Sequence, residues 1–211
     1  MAAKVFTIAQ QKGGAGKTTL AVNLAVAWAD KKHKVALVDI DPQGSLGQWY
    51  ALRRKTFGDG DTGLTQVSCT GWRVSGEVEK LARDHDIVIV DSPPHAETEA
   101  RIAVRAARIV IVPVQPSPMD LWATRPTLEL ARAEKRPAVM VLNRVPARSN
   151  LADAMYEELA EFDVKIAENQ IGNRVAYAAA LVDGRGVTEY APSSAAAEEI
   201  ADLAKELLRK S

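Results

Sequence analysis

Residues 12–19 read Lys-Gly-Gly-Ala-Gly-Lys-Thr-Thr, directly after the apolar, β-prone run Val5-Phe6-Thr7-Ile8-Ala9. An apolar-periodic helix opens near Lys17. A strand that feeds a glycine-rich turn and then a helix builds a phosphate cradle. Gly13, Gly14 and Gly16, with Ala15 between them, let successive backbone N–H groups point inward, and the helix N-terminus adds partial positive charge. In such a loop Lys17 reaches the β- and γ-phosphates, and the Thr18 hydroxyl is placed to ligand Mg²⁺, with Thr19 beside it.

The rest of the chain alternates strand and helix signals, which calls for an α/β fold with a doubly wound, mostly parallel sheet and helices on both faces. The expected strands are Lys34–Asp39, Leu64–Val67, Asp86–Asp91, Arg108–Pro113, Ala138–Leu142 and a short one at Val164–Ala167. Helices are expected at Thr18–Asp30, Val74–Asp84, Glu97–Ala107, Leu121–Glu134, Leu151–Glu161 and Ala195–Leu208. A length of 211 residues with 47% hydrophobic and 26% charged content fits a single domain spanning 1–211. Gly58–Gly63 reads as a surface loop, and no linker or repeat interrupts the pattern. The one cysteine, Cys69, excludes a disulfide framework and a cysteine-rich metal site. Lys+Arg and Asp+Glu are both 27, so affinity for nucleic acid requires a local basic patch. No leader and no apolar run of membrane-spanning length is expected.

Ligands in such sheets bind at the carboxyl ends of the strands, where the acids of this chain cluster. Asp91-Ser-Pro-Pro94 ends an apolar strand in the Walker B manner, and beside a phosphate loop Asp91 reads as an acid near Mg²⁺. Asp39 and Asp41 share one side of an extended segment and can both face a γ-phosphate; a turn or N-cap role is the alternative. A second lysine, Lys12, precedes Gly-Gly while Lys17 already fills the role at the bound phosphates, which suggests a site completed by a partner copy.

The form Lys12-Gly-Gly-x-Gly-Lys-Thr-Thr19 resembles the deviant P-loop of the ParA/MinD ATPases, and Asp39-x-Asp41-Pro-Gln43-Gly44 resembles the second motif of that family. The resemblance runs the length of the chain, with Gln10 where the family usually has asparagine. It implies a P-loop NTPase fold, ATP and Mg²⁺ as cofactors, weak ATP hydrolysis stimulated by a partner, and a homodimer formed with ATP. By this resemblance Lys12 reaches the partner's nucleotide, Asp41 orients the attacking water, and Asp39 supports the metal and the loop. Pro113-Val-Gln-Pro116-Ser-Pro118-Met-Asp120 is similar to a proline-rich stretch of the small ParF-like members, which puts Pro116 by the adenine and the dimer interface. Asn143, ending a strand, falls where the family reads the adenine edge; a plain turn asparagine is the other reading.

The resemblance further implies nonspecific DNA binding by the C-terminal region, with Arg174, Arg185, Arg144 and Arg148 as candidates in that order. It implies a cytoplasmic, nucleoid-associated protein that partitions a plasmid, chromosome or protein cargo with a ParB-like or cargo-adaptor partner. The chain starts at its first strand, so no role as its own site-specific repressor is expected. A MinD-like membrane ATPase would need a basic amphipathic tail, whereas Ala195–Leu208 carries Glu198, Glu199, Asp202 and Glu206. A small-molecule kinase or ligase of the P-loop type is a further alternative, against which Lys12 and Asp-x-Asp-Pro-Gln argue. An ATP-driven reductase like the nitrogenase iron protein lacks the cysteines it would need.

Overall fold

The inner strands are apolar on both faces, and such strands are stable only between two layers of helices. The computed structural model describes residues 3–58, 62–94, 97–147, 158–159 and 161–211. Its strands are β1 (Lys4–Ile8), β2 (Val35–Asp39), β3 (Leu64–Ser68), β4 (Ile87–Asp91), β5 (Ile109–Val114), β6 (Ala138–Leu142) and β7 (Lys165–Ile166). They form one seven-stranded sheet in the order β3-β2-β4-β1-β5-β6-β7, with every neighbouring pair parallel. The doubly wound parallel architecture read from the sequence is the one found.

The helices are α1 (Lys17–Asp30), α2 (Ser45–Phe57), α3 (Arg73–Asp84), α4 (Glu97–Ala106), α5 (Pro118–Ala133), α6 (Val175–Val182), α7 (Val187–Tyr190) and α8 (Ala195–Lys210). Successive residues of β4 part to opposite sides: Ile87 and Ile89 join the core under α1, α2, α6, α7 and α8, whereas Val88 and Val90 pack against α3. Beyond them α5 covers Val110, Val112 and Met140. This two-sided burial is what period-two side-chain alternation produces in a covered sheet.

Three helices were not legible in the sequence. On α2 the inward positions are Leu46, Trp49 and Arg53, and a buried arginine conceals the apolar stripe. Arg53 is tied to Glu189 by two hydrogen bonds of 2.8 and 2.7 Å, donates to the Gly184 carbonyl and lies over the Phe57 ring. It thereby fastens α2 to α7 and to the connection that leads into it. The short α6 and α7 are held by that same connection and carry little periodicity of their own. Helix α5 begins at Pro118, three residues before the expected Leu121, because Ser117 caps it and accepts the Asp120 N–H, and proline suits a first helical turn. The expected helix at 151–161 lies mostly outside the described residues.

The close approach at Gly184 yields a stability test. Its φ is +64°, and a Cβ there would lie 2.2 Å from the Arg53 backbone nitrogen. Gly71 has a similar φ of +58° with nothing within 4 Å of its Cβ position. Gly184→Ala adds overpacking to left-handed strain and should cost about 2–4 kcal/mol, against about 1 kcal/mol for Gly71→Ala. Urea midpoints of the two variants check this; equal losses would mean that the α2 contact yields freely.

Candidate functional site

The phosphate loop leaves β1, the strand between β4 and β5, so it lies at the centre of the sheet's carboxyl edge. Its conformation is fixed from outside. Asn143 Nδ2 donates to the Ala15 carbonyl at 2.8 Å, Gln115 Nε2 to the Gly14 carbonyl at 3.0 Å, and Lys17 Nζ to the Gln10 carbonyl at 2.9 Å. In a trans peptide the following N–H points opposite its carbonyl, so these braces turn the N–H groups of Ala15 and Gly16 toward the cleft. Gly16 has φ +87°, and a Cβ there would sit 2.6 Å from Asn143 Nδ2, so backbone and space both demand glycine. Gln10 is buried and bonded to the Pro113 carbonyl and to the hydroxyls of Thr124 and Thr127, which anchors the loop entrance to β5 and α5.

Beneath the loop, parallel register sets Asp39 of β2 level with Asp91 of β4. Asp91 is fully buried; its Oδ2 accepts the Thr18 hydroxyl at 2.6 Å and its Oδ1 has no partner. Burial pushes the Asp91 carboxyl up to about 7, against the Thr18 hydrogen bond, which opposes the rise, and with the Asp39 charge, which adds to it. Asp39 is likewise raised by burial, although its oxygens accept the N–H groups of Asp41 and Gly47 at 3.1 and 3.0 Å. Lys17 is lowered by burial, which outweighs the pull of Asp91 and Asp41. These desolvated groups face one another without a full set of partners. An orphaned carboxylate oxygen beside a threonine hydroxyl is an oxygen donor set suited to Mg²⁺ and its waters, so Thr18 and Asp91 fit that ion.

Two adjoining clefts open above these groups. One, about 440 Å³, is lined by Gly14, Lys17, Thr18, Asp41 and Gln43. The other, about 380 Å³, is walled by Leu20, Asn23, Ile171, Val175 and Tyr177. Gly16, Thr19 and Arg144 line both. Two joined clefts beside a phosphate loop have room for a nucleotide, with its phosphates over Lys17 and Thr18 in the first.

The structure gathers Gly14, Gly16, Lys17, Thr18, Thr19 and Asp41 at one cleft, with Gly13 and Ala15 in the same loop and Asp91 beneath. Asp39 is spent on backbone N–H groups of the β2–α2 loop and the first turn of α2. Asn143 gives one amide hydrogen to the Ala15 carbonyl and its oxygen accepts the Arg144 N–H at 3.0 Å, so it braces the loop while lining the second cleft. Pro116 is buried in the turn before α5 and lines neither cleft. Lys12 is part-exposed and paired with an acid of α5. Its Nζ sits 2.6 Å from Asp120 Oδ2, an oxygen that also accepts the Ser117 hydroxyl. With the Lys12 side chain 36% exposed, such a pair is worth on the order of 1 kcal/mol or less, which leaves the lysine releasable.

Of the arginine candidates, Arg144 and Arg174 line the same cleft. Arg174 is paired with Glu199 at 2.6 Å. Arg185 stacks over Phe57 past the other end of α6. Arg144 lines both clefts beside the phosphate loop, and Arg148 lies outside the described residues. Sequence reasoning missed Asp120 as the partner of Lys12, Tyr177 as a cleft wall, and the bracing of Gln115. Asp120 carried a signal as an acid within the proline-rich segment, but its partner is 108 residues away.

The raised Asp91 sets the direction of a pH effect in nucleotide-free protein. Below its ordinary value of 3.8 both folded and unfolded chains hold the proton. From there to about 7 only the folded chain holds it, so stability falls as pH rises and then levels off. The slope from this group is at most about 1.4 kcal/mol per unit. Asp91→Asn, which keeps the shape of the protonated acid, should flatten the decline between pH 5 and 7 in urea titrations. An unchanged slope would mean that Asp91 does not carry it.

Comparison with known proteins agrees with this geometry. Residues 6–187 match the family model described as the CobQ/CobB/MinD/ParA nucleotide binding domain. The chain is 30% identical over 214 residues to the maintenance of carboxysome distribution protein A of Halothiobacillus neapolitanus, covering 97% of each. It is 31% identical over 237 residues to the chromosome-partitioning ATPase Soj of Thermus thermophilus, covering 97% of this chain and 95% of that protein. Among solved structures, the cell division ATPase MinD of Pyrococcus furiosus superposes with a TM-score of 0.80 at 20% identity, covering 99% of each chain. An alanine-substituted McdA of Cyanothece in complex with ATP superposes with a TM-score of 0.79 at 19% identity, over 97% of this chain and 96% of that one. The chain belongs to the CobQ/CobB/MinD/ParA nucleotide-binding family and, within it, to the ParA-type ATPases.

Proposed function

We propose that this protein is a Mg²⁺-dependent ATPase that dimerises around ATP, binds DNA without sequence preference in that state, and positions a chromosomal, plasmid or protein cargo. The paired clefts above Lys17, Thr18 and Asp91, with Lys12 at the start of the same loop paired to Asp120, carry the reading. Relatives named for carboxysome distribution and chromosome partitioning point to the class of cargo. When bound, Mg²⁺ offsets charge on the phosphates; Thr18 and, through water, Asp91 would hold it. Lys17 binds the β- and γ-phosphates once it leaves the Gln10 carbonyl. Asp41, half-exposed in the phosphate cleft with Asp39 fixing its backbone, orients the attacking water. Lys12 leaves Asp120 and reaches the nucleotide of a second copy, so hydrolysis is slow until the dimer and a partner protein complete the site.

Three variants separate these roles. Lys17→Ala should lose tight ATP binding. Lys12→Ala should bind ATP yet stay monomeric in sedimentation with a nonhydrolysable analogue. Asp41→Ala should bind and dimerise but lose turnover by at least 100-fold, the scale on which an aligned catalytic group acts. Wild-type protein with ATP should bind unrelated duplexes with an affinity that drops steeply with salt, and ADP should weaken it. A Lys12→Ala protein that dimerises fully would remove the role of the partner's lysine. Binding to anionic liposomes without any binding to DNA would overturn the DNA reading.

A further inference from the structure

Lysine occupies two positions where a folded chain usually has glycine. Helices α1 and α5 end in the same kind of turn. The N–H groups of Lys32 and His33 bond the carbonyls of Ala29 and Trp28, and those of Lys135 and Arg136 bond the carbonyls of Arg132 and Ala131. In each turn the lysine takes a left-handed backbone, with φ +68° at Lys32 and +54° at Lys135. Glycine is the usual residue there, because a Cβ is strained in that conformation. Cations near a helix C-terminus suit its dipole, but the dipole does not call for lysine at the one strained position. A lysine kept at that cost in two separate turns points to a use for its charge.

Both turns lie at the amino edge of the sheet, opposite the phosphate loop, and the entries to the strands join them into one row. Asp86 N–H bonds the Lys34 carbonyl, Lys4 N–H the Asp86 carbonyl, Arg108 N–H the Val5 carbonyl and Val110 N–H the Pro137 carbonyl. Lys165, level with Val139, ends the row on β7. Lys32, Lys34, Arg108, Lys135 and Lys165 are exposed, and among the described residues none of them forms an ion pair. Arg136 beside them has a buried Nε without a partner. Two acids of this edge are engaged: Asp86 accepts the Lys34 N–H at 2.8 Å, and Glu134 is held by Arg101 and Arg105. Asp84 and Asp163 are exposed in neighbouring turns. At the β2 end, Lys32, His33, Lys34, Thr65 and His85 line a cleft of about 370 Å³.

We infer that this amino edge, centred on Lys32, Lys34, Arg108 and Lys135, is a contact surface for the sugar–phosphate backbone of duplex DNA. From β2 to β7 is five strand steps in the sheet. At the usual strand spacing that is about 24 Å, the rise of about seven base pairs. Unpaired cations in a row of that length displace counterions from a duplex without reading its bases. A lipid surface would call for apolar side chains to insert. The exposed Trp72, Met119 and Trp122 sit at the other edge, after β3 and at the start of α5. The inference rests on the DNA reading above and places the surface away from the C-terminal arginines. Lys12 and Lys17 lie at the far end of the strands, so the edge acts without touching nucleotide. A dimer formed with ATP carries two such edges and gains avidity.

The test is a fluorescence-anisotropy titration of labelled duplexes of unrelated sequence with full-length protein, held with a nonhydrolysable ATP analogue, at several salt concentrations. Lys32→Gly/Lys135→Gly is the main variant. Glycine suits both turns, so this protein should melt no lower than wild type, bind the analogue and dimerise as before. It should weaken every duplex alike, by at least about tenfold at about 0.1 M salt, and lower the slope of log affinity against log salt by about two. Lys32→Arg/Lys135→Arg should keep the wild-type slope. Arg73→Gln/Lys80→Gln, which removes the same charge from α3, should leave DNA affinity unchanged. A wild-type slope in the folded glycine variant overturns the inference. An equal loss in the α3 variant also overturns it, because net charge alone would then govern binding. Wild-type protein that binds anionic liposomes but no duplex overturns the DNA reading itself, a result distinct from the other two.

Discussion

Burial of α1 is the constraint on which the rest depends. Ten of its residues are buried, from Lys17 and Leu20 through Trp28, so it is enclosed almost all round. One side lies on the sheet, where Trp28 stacks on Phe6 with ring centroids 4.9 Å apart. The other is covered by the C-terminal third: Trp28 Nε1 donates to the Ala204 carbonyl of α8, and Asn23 accepts the Val187 N–H of α7. A helix so enclosed cannot rotate without disturbing both layers. The phosphate loop at its N-terminus inherits that rigidity, and residues more than 160 positions away set the direction of a cradle written near residue 12.

The second organising feature is an unresolved charge balance beneath the loop. Asp91 and Lys17 are buried, Asp39 is bound to backbone, and burial moves each away from its ordinary ionisation. Such a cluster costs stability while it waits for its ligand. Anionic phosphates and a divalent cation would offset it, so a tightly packed fold can still favour its bound state. The cost is tolerable because the surrounding layers are extensive and continuous.

Lys12 is held by a side chain of its own chain, far along the sequence. Its pairing with Asp120 has short geometry but modest exposure-limited worth, and Asp120 is held by Ser117 at the cap of α5. The pair ties the start of the phosphate loop to the first turn of α5. Because α5 follows the same β5 whose end braces the loop through Gln115, tie and cradle share one support.

The sequence determined what local chemistry and short-range pattern can carry. The strand–glycine loop–helix unit of residues 5–30, the apolar strands ending in Asp39 and Asp91, and the alternation that demands a covered parallel sheet are all matters of neighbours in the chain. Tertiary structure decided the rest. The sequence offers Arg174 as a DNA-binding candidate, and only the fold pairs it with Glu199, 25 residues on. It offers Arg144 likewise, and only a left-handed turn brings that side chain beside Gly16. Asn143 reads as a base-reading amide or a plain turn residue, and only the fold sets one of its hydrogens on the Ala15 carbonyl. Helix α2 went unread because the residue that buries it is Arg53, whose partner Glu189 lies 136 positions away. Spacing reports which groups can act together along a strand or helix. Which charges are already satisfied depends on the elements that pack across them, and only the folded chain supplies those.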